Sequence, residues 1–502
     1  MNEAAKNEFP VCDMPDVTPE VLYAQAEAKL PHMRFYAPND MGNAQRFLDE
    51  CGEAVRYCTT EQRWYVFNGQ RWLPDTTMQA ERLARTALET SYDKSIAQCQ
   101  SDQTDPLQNG IQKLLRQRNA AGNVKSLRNC LSMAAVDAAM DVTQFDADPY
   151  KIHFNNGSLN LRNKDLFEGY TFHRASEYFS KMTNAGIDFD QKPNEDGDIY
   201  PDCPHWIQFV SLCCMGDKEM YQYLQRAVSY SVLTGDISEQ KVFCLLGEGR
   251  NGKSLFINTI AAIAGDYACK LESSVLCRNR FGEKDNDVSK ELYRIRGSRF
   301  VYSNEFSRNS ILNESFLKAI TDGGKISCRP LYGSCIEYTP TYTLWFSTNH
   351  LPNLQAMDEG IRRRIVVIPF RLHIPEDMVD RNLGNTFLEE ANGIFLWLLA
   401  GYYDYLEYGL TPPEAVRQAT AQYFAEQDIF QQFLEECYLP IGKNDGMLYA
   451  KEVYADYVNW CATSGEKPVS KVLLSRELKR LHVQKKENKK GTYYFLNRKV
   501  QP

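Results

Sequence analysis

A glycine-rich segment at residues 247–254 carries the residue types that bind a chain of phosphates. It reads Gly-Glu-Gly-Arg-Asn-Gly-Lys-Ser, which fits the P-loop pattern G-x-x-x-x-G-K-[ST]. Gly247 and Gly252 let the backbone bend tightly and bring its N–H groups against a phosphate. Lys253 places an ammonium group on the β- and γ-phosphates, and Ser254 offers a hydroxyl to Mg²⁺. The pattern predicts a site for ATP and Mg²⁺, completed by Glu248, Gly249, Arg250 and Asn251.

The flanking segments have the pattern that a P-loop requires. Residues 242–246 are a five-residue apolar run, which is typical of a buried strand. Residues 254–260 then have the pattern of a helix, and its positive end would face the phosphates. The alternative is a glycine turn without function, but the pattern arises by chance in only about 2% of chains this long at ordinary glycine content.

Three later elements supply the other groups that ATP hydrolysis needs. An apolar strand at 299–304 ends in Glu305, which is suited to hold Mg²⁺ or to polarise the attacking water. A second strand ends in Asn349, whose amide can orient that water or sense the γ-phosphate. Arg363 and Arg364 precede a third strand, where an arginine can reach the γ-phosphate of a neighbouring subunit. Singly, these residues have structural alternatives: a strand cap, a turn and a solvated edge.

The order of these elements resembles the hexameric superfamily 3 helicases, specifically the phage and plasmid primase-helicase type related to the poxvirus primase-helicase. That type places Gly-x-Gly-x-Asn-Gly-Lys-Ser at the P-loop, and residues 247–254 match it. Its Arg-strand-Glu, Thr-Asn-His-Leu-Pro and Arg-Arg-strand-Pro-Phe segments are matched by residues 299–305, 348–352 and 363–370. The resemblance covers most of residues 41–480. It implies a homo-hexameric ring that binds ATP between subunits and pulls one DNA strand through a central channel.

Two features of this chain depart from the resemblance. Many superfamily 3 members have two acids after the first strand that follows the P-loop, whereas here Asn304 precedes Glu305. The segment at 325–333 would, by resemblance, form a hairpin that lines the channel, although some relatives have a lysine where Gly333 falls. The residues expected to grip the DNA backbone are Lys325, Arg329 and Tyr332, and an ordinary solvated hairpin is the alternative.

Charge is distributed unevenly along the 502 residues. The formal net charge is −8, yet residues 466–502 contain eleven Lys and Arg against three Glu. An acidic body with a basic end indicates that the end contacts a polyanion. The fifteen cysteines include no C-x-x-C pair, so the chain is expected to work with free thiols in a reducing cytoplasm, that of a bacterial host if a phage or mobile element encodes it. No apolar run is long enough to span a bilayer, and no membrane partner is expected.

The basic end has the pattern of a winged helix. Residues 469–481 form a helical pattern, and residues 484–496 form a charged turn that leads into an aromatic strand. Such a helix can enter a major groove while the wing contacts phosphates, although winged helices also dock proteins. The residues expected to contact nucleic acid are Lys471, Arg476, Lys479, Lys485 and Lys486.

The predicted fold class is an α/β P-loop NTPase (AAA+-like) core with an α/β N-terminal module, a helical collar and a C-terminal winged helix. Aromatic residues around Asn68-Gly69 predict a hairpin, which either forms a hydrophobic core or stacks on bases. The predicted units are a flexible arm (1–40), the N-terminal module (41–150), a strand-turn and helical collar (151–240), the ATPase domain (241–375), a helical subdomain (376–427) and a winged-helix-like basic domain (428–502).

The leading hypothesis is an ATP-driven DNA helicase that replicates a phage, satellite or plasmid. Its expected partners are single-stranded and forked DNA, further copies of itself and a separate primase or polymerase. One alternative is an origin-binding initiator whose ATPase controls assembly. The other is a P-loop ATPase in defence or signalling.

Overall fold

The computed structural model describes most of the chain. The described residues are 36–101, 107–163, 166–188, 201–278, 285–307, 310–329, 335–354, 358–439, 446–488 and 491–499. No helix within these ranges combines the length and the apolar character needed to cross a membrane.

The first part of the described chain is an α/β module. Its elements are α1 (Asp40–Cys51), β1 (Val55–Cys58), β2 (Arg63–Phe67), β3 (Trp72–Pro74), α2 (Gln79–Ser101), α3 (Leu107–Ala121), α4 (Val124–Asp137) and β4 (Ala139–Met140). The strand order is β3-β2-β1-β4, with β4 parallel to β1 and the other pairs antiparallel. The predicted hairpin is present, because Asn68 Oδ1 accepts the N–H groups of Gln70 and Arg71. Its aromatic residues Phe67 and Trp72 are buried in the core, which excludes them from stacking on bases.

A second small sheet and two long helices connect this module to the central sheet. The elements are β5 (Lys151–Phe154), β6 (Gly157–Asn160), α5 (Leu166–Gly169), β7 (Tyr170–Thr171), α6 (Pro204–Cys213) and α7 (Lys218–Leu233). The strands pair antiparallel in the order β5-β6-β7. The strand-turn-strand and the helices predicted for 151–240 are therefore present, and residues 214–217 separate the two long helices α6 and α7.

The centre of the molecule is a five-stranded parallel sheet. Its strands are β8 (Val242–Leu246), β9 (Ala268–Lys270), β10 (Phe300–Asn304), β13 (Thr343–Thr348) and β14 (Ile365–Pro369), with the β11 (Ile326–Cys328) and β12 (Ile336–Tyr338) hairpin inserted between β10 and β13. The helices are α8 (Lys253–Ala264), α9 (Ser273–Leu276), α10 (Asp285–Arg294), α11 (Glu314–Thr321) and α12 (Glu359–Arg362). The order is β14-β8-β13-β10-β9. Every residue of β13 is buried, as expected where helices cover both faces of a parallel sheet.

Helices follow the central sheet and lead to a separate C-terminal unit. They are α13 (Leu383–Glu389), α14 (Ala391–Tyr408), α15 (Glu414–Gln427) and α16 (Ile429–Cys437). An apolar run at 394–403 lies within α14, and most of its residues are buried. The helical subdomain predicted for 376–427 is present, although residues 376–378 form a single 3₁₀ turn and α13 begins at Leu383.

The C-terminal unit has its own hydrophobic core. It contains β15 (Met447–Tyr449), α17 (Ala450–Ser464), α18 (Lys471–Arg480), β16 (Lys485–Asn488) and β17 (Gly491–Phe495), with the antiparallel order β15-β17-β16. Leu474 and Leu478 of α18 pack with Val453, Tyr457 and Tyr494. The helix and the strand that the sequence predicts at 469–496 are thus both present.

Candidate functional site: the carboxyl edge of the central sheet

Three polar segments meet where neighbouring parallel strands end. Gly247 follows β8, Glu305 follows β10 and Asn349 follows β13. The register aligns Leu246 with Thr348, and the Glu305 N–H donates to the carbonyl of Ser347 at 2.9 Å. Because these strands are parallel neighbours, their carboxyl ends lie at one edge, which is where ligands bind in open α/β sheets. The segments singled out in the sequence are therefore brought together by the topology.

The shape of the 247–252 loop is fixed by close packing. The Asn251 Nδ2 donates to the carbonyls of Glu248 and of Phe370, the latter at 3.2 Å. A side chain on Gly247 would place its Cβ 2.2 Å from the Phe370 oxygen. Gly252 has a φ of 85° and an added Cβ would lie 2.9 Å from Cys213 Sγ. Only glycine fits these two positions.

The loop opens onto the amino end of α8. Gly252 caps this helix and contributes no side-chain hydrogen bond to its first N–H groups. The helix N-terminus therefore carries a partial positive charge, which suits an anion, although the N–H of Lys253 already donates to Asn251 Oδ1 at 3.5 Å. Ser254 is exposed in the first turn, and an added Cβ at Gly249 would meet no atom within 4 Å. The tip is held by Arg250, whose carbonyl accepts the Ile374 N–H at 2.9 Å.

Lys253 is buried beneath this loop. Its side chain donates to the Gly247 carbonyl at 2.5 Å, to Asn251 Oδ1 at 3.0 Å and to Asn349 Oδ1 at 3.2 Å. Burial lowers the pKa of Lys253 to about 8, and the nearby Glu305 carboxylate opposes that shift. Lys253 thus joins the loop after β8 to the amide after β13. All these partners are neutral acceptors, and within the described part of the chain the ammonium forms no ion pair.

Glu305 occupies an unusual backbone conformation for its residue type. Its φ is 41°, in the left-handed region that a non-glycine residue seldom adopts, and its side chain is exposed. Such strain is concentrated at functional sites. The preceding Asn304 has a buried Oδ1 that accepts no hydrogen bond within the described part of the chain. Carboxylate and amide oxygens beside a phosphate cradle fit Mg²⁺, as does the Ser254 hydroxyl.

Two of the three consecutive arginines at 362–364 are committed to structural contacts. Arg364 is buried and donates to Thr321 Oγ1 at 3.0 Å and to Asp322 Oδ1 at 2.5 Å. Arg362 donates to the buried Asp428 at 3.2 Å. The sequence nominated Arg363 and Arg364 as fingers, but Arg364 would have to leave these partners to reach a neighbouring subunit.

Arg363 is the exposed member of the three. Its guanidinium donates to Gln240 Oε1 at 3.0 Å, a neutral partner at the surface. Its carbonyl accepts from Lys241 Nζ at 2.9 Å, which ties the backbone to the residue before β8. The backbone is therefore anchored while the guanidinium has no ion-pair partner in the described ranges.

The candidate DNA-contacting residues lie in two places. Lys325 and Arg329 flank β11 and are exposed, while Tyr332 lies outside the described residues. The backbone N–H of Arg329 donates to Ser289 Oγ at 2.9 Å, which attaches this end of the hairpin to α10.

The second place is the C-terminal unit, where the predicted basic residues are all exposed. They are Lys471, Arg476 and Lys479 on α18 and Lys485 and Lys486 on β16. Lys485 pairs with Glu487 at 2.6 Å, and the Lys471 ammonium lies 5.1 Å from the centre of the Tyr454 ring. These contacts leave the charges at the surface.

Two buried charged residues were not identified from the sequence as site residues. Arg299 donates to the carbonyls of Leu233 and Lys151 and lies 4.6 Å from the Tyr267 ring, which joins three parts of the fold. Asp428 accepts from two arginines that are distant in sequence. The sequence includes Arg299 only as the first residue of the Arg-strand-Glu segment and gives no signal for Asp428, because the partners of both residues are set by the tertiary fold.

Family models match two consecutive parts of the chain. Residues 44–214 match a domain described as D5 N terminal like, and residues 245–364 match a family of unknown function, DUF5906. The first match covers the N-terminal module and extends to α6, and the second covers the carboxyl-edge segments. Together with the viral relatives described below, these matches support a resemblance of this chain to the phage and viral primase-helicases. The resemblance inferred from the motifs is confirmed at this level.

Curated relatives of this chain include viral proteins. "Putative helicase L207/L206" of Acanthamoeba polyphaga mimivirus is 24% identical over 472 residues, which cover 87% of this chain and 47% of that protein. "Putative helicase 121R" of Invertebrate iridescent virus 3 is 23% identical, covering 81% of this chain and 48% of that protein. "Putative primase C962R" of African swine fever virus is 25% identical, covering 45% and 25%. The chain spans about half the length of the first two relatives.

One solved structure similar to this chain is the apo C-terminal region of NrS-1. It has 12% sequence identity to this chain and a TM-score of 0.47, and the match covers 89% of this chain and 96% of that one.

Proposed function

We propose that the chain is an ATP-hydrolysing DNA helicase that replicates the genome of a phage, satellite or plasmid as a homo-hexameric ring. One observation carries the proposal: Lys253, Glu305 and Asn349 converge at the carboxyl edge of adjacent parallel strands. The match to the D5 N terminal like domain supports a role in replication. The viral relatives are named putative helicases, and these names support helicase activity.

The residues at this edge have distinct roles in hydrolysis. Lys253 moves from its carbonyl partners to the β- and γ-phosphates, where its charge is better satisfied. Ser254 and Glu305 hold Mg²⁺, which when bound neutralises charge on the phosphate oxygens. Glu305 also polarises the attacking water, and Asn349 orients it. The N–H groups at the start of α8, where Gly252 supplies no side-chain cap, bind the phosphate chain.

The site is completed by a neighbouring subunit. Arg363 is exposed and has no acidic partner in the described ranges, so it can bind the γ-phosphate of the adjacent copy. In phosphoryl transfer such an arginine stabilises charge that develops in the transition state. A head-to-tail ring supplies one arginine to every site. An AAA+-like superfamily 3 core is the fold that this arrangement implies.

DNA is contacted at the hairpin and at the C-terminal unit. Lys325 and Arg329 track the backbone of the translocated strand, while the exposed charges of α18 and β16 bind duplex as a winged helix does. Primer synthesis is supplied by a separate primase or polymerase.

The test is an unwinding assay on forked DNA combined with mass measurement with and without ATP and Mg²⁺. The proposal predicts DNA-stimulated hydrolysis, strand separation and a nucleotide-dependent ring. Hydrolysis that is indifferent to DNA would instead support an ATPase in defence or signalling.

An origin-binding initiator is the second candidate, since the exposed basic face of α18 and β16 is suited to duplex. Tight duplex binding with ATP-controlled assembly but without strand separation would favour it over the helicase.

A further inference from the structure

One buried carboxylate joins the arginine segment to the basic C-terminal unit. Asp428 lies between α15 and α16, and its side chain is 0% exposed. It accepts from Arg362 Nη2 at 3.2 Å and from Arg480 Nη2 at 2.9 and 2.8 Å to its two oxygens. It also caps α16 through the N–H of Gln431 at 3.1 Å. We call Arg362, Asp428 and Arg480 the carboxylate junction.

The two arginines of the carboxylate junction come from the two proposed working surfaces. Arg362 ends α12 and immediately precedes Arg363, the proposed finger. Arg480 ends α18, the helix that presents Lys471, Arg476 and Lys479. A single side chain therefore spans from the finger segment to the helix proposed to bind duplex.

The helix before Asp428 contacts another part of the nucleotide site. The hydroxyl of Tyr423 on α15 donates to the carbonyl of Pro352 at 2.7 Å, and Gln427 Oε1 accepts the Leu354 N–H at 3.2 Å. Pro352 and Leu354 lie in the segment that follows Asn349. The segment carrying Asn349 and the segment carrying the finger are thus both attached at the point where the C-terminal unit begins.

Burial makes the carboxylate junction sensitive to movement. A carboxylate removed from water is stable only while its charge is paired, and losing one partner leaves the other to compensate. Arg362 is further held over the Phe424 ring, with 5.2 Å from its guanidinium carbon to the ring centre. Displacement of α18 would withdraw Arg480, so that Arg362 alone would have to neutralise Asp428. This would change the position of the backbone next to Arg363.

We propose that the carboxylate junction couples duplex binding on α18 to the position of Arg363, so that bound duplex changes the rate of ATP hydrolysis. This inference rests on the proposed function. Arg362, Asp428 and Arg480 are positioning residues, because they act through Arg363 and need not touch nucleotide. Reciprocity requires that bound nucleotide change duplex affinity by the same factor as duplex changes nucleotide affinity.

The experiment compares the full-length chain with Arg480→Gln, Arg480→Lys and Arg362→Gln. Hydrolysis is measured with and without duplex, and duplex affinity with and without a non-hydrolysable ATP analogue. In the wild type we expect duplex to change hydrolysis, and each ligand to change affinity for the other by about 5- to 150-fold. Both glutamine variants should bring these ratios towards one, because hydrolysis in them no longer responds to duplex, and Arg480→Lys should retain part of the coupling.

A matched control is provided by Arg498→Gln. Arg498 forms a bidentate pair with Asp456 at 2.8 and 3.1 Å, wholly inside the C-terminal unit. We expect this variant to keep the wild-type ratios. Arg362→Gln removes a partner outside that unit, so its duplex affinity without nucleotide should be unchanged even if Arg480→Gln disturbs folding.

The outcomes separate this inference from the proposed function. Wild-type ratios in Arg362→Gln, or an equal loss of coupling in Arg498→Gln, would overturn the inference. Duplex-independent hydrolysis by the wild type would overturn the inference and leave the ATPase assignment standing. A wild-type chain that hydrolyses no ATP would overturn the proposed function itself.

Discussion

The carboxyl edge of the central sheet and the basic face of the C-terminal unit differ in where their positive charges lie, which is buried at the first and exposed at the second. Lys253 is 4% exposed and is held by acceptors on two segments, the 247–252 loop and the segment that follows β13. Lys471, Arg476 and Lys479 are all exposed on one helix. Fixed geometry is required to bind one phosphate chain in one orientation, whereas a duplex surface depends on summed charge. Single substitutions should therefore cause a large loss of hydrolysis at the first region and a small, additive loss of duplex binding at the second.

The largest effect is expected at Arg363, where one exposed side chain completes a site. Arg363→Ala should lower hydrolysis by roughly 10³- to 10⁵-fold, because a finger arginine stabilises charge in the transition state. Its melting temperature should not change, since the hydrogen bond of its side chain within the described ranges is to Gln240 at the surface. Steady-state hydrolysis and thermal denaturation test this. If an assembled ring of Arg363→Ala hydrolyses ATP at the wild-type rate, Arg363 is not part of the site.

Arg364→Ala is the matched comparison for that variant. It deletes a buried guanidinium together with its hydrogen bonds to Thr321 and Asp322, which should lower the free energy of unfolding by about 2 kcal/mol. A stable Arg364→Ala protein with the catalytic defect expected of Arg363→Ala would reverse the assignment of the two residues.

Lys253→Ala should sharpen the contrast between the two regions. Loss of the ammonium should lower hydrolysis and unwinding by on the order of 10²- to 10³-fold, as for other donors that stabilise transition-state charge. Duplex binding by the C-terminal unit should be retained, because α18 lies in a separate hydrophobic core. Filter binding and unwinding assays on one preparation measure both properties. Intact unwinding would reject Lys253 as the phosphate-binding lysine.

Graded effects are expected on the basic face. Each of Lys471→Gln, Arg476→Gln and Lys479→Gln should lower the slope of log affinity against log salt by about 1, because each removes one phosphate contact. Arg417→Gln is the control, since Arg417 is exposed on α15 and pairs with Glu414 there. Salt titrations of duplex binding measure this slope for each variant. An unchanged slope in all three variants would indicate that this face docks protein instead.

The smallest effect is a pH dependence of nucleotide affinity. Burial lowers the pKa of Lys253 to about 8, so the ammonium that attracts phosphate is present below that pH and is lost above it. Affinity for an ATP analogue should be level below pH 8 and fall up to about tenfold per pH unit above it. Calorimetry between pH 7 and 9.5 measures this, with Lys253→Arg as the control that stays charged. A level profile in the wild type would contradict the buried ammonium.

The same pKa makes a prediction about the stability of the empty protein. An unfolded lysine keeps its proton up to about pH 10.4, so between pH 8 and 10.4 the unfolded state binds more protons than the folded state. The contribution of Lys253 to the free energy of unfolding therefore becomes more favourable as pH rises through this window. Denaturant titrations of the wild type and of Lys253→Arg across this pH window measure that contribution.

The sequence was sufficient to predict the carboxyl edge because its signals are local. The apolar runs before Gly247, Glu305 and Asn349 end where polar residues begin, and parallel strands bring such ends together. The hairpin at Asn68-Gly69 was predicted for the same reason. Turn chemistry and strand length are properties of neighbouring residues.

Features set by tertiary contacts could not be predicted. Arg362, Arg363 and Arg364 are identical in type, and only the positions of Asp428, Gln240 and Thr321 distinguish their roles. The hydrophobic core that the sequence offered for the aromatic residues of the hairpin is present at Phe67 and Trp72, but the distant segments that complete it are set by the tertiary fold.

Mixing two inactive variants tests most directly whether ATP is cleaved at a joint between copies of the chain. Lys253→Ala supplies an intact Arg363, and Arg363→Ala supplies an intact phosphate site. Random assembly of equal amounts should restore about a quarter of the wild-type hydrolysis, because each site in a head-to-tail ring meets its neighbour's arginine at random. If a mixture with confirmed subunit exchange stays as inactive as its components, hydrolysis across the joint is contradicted.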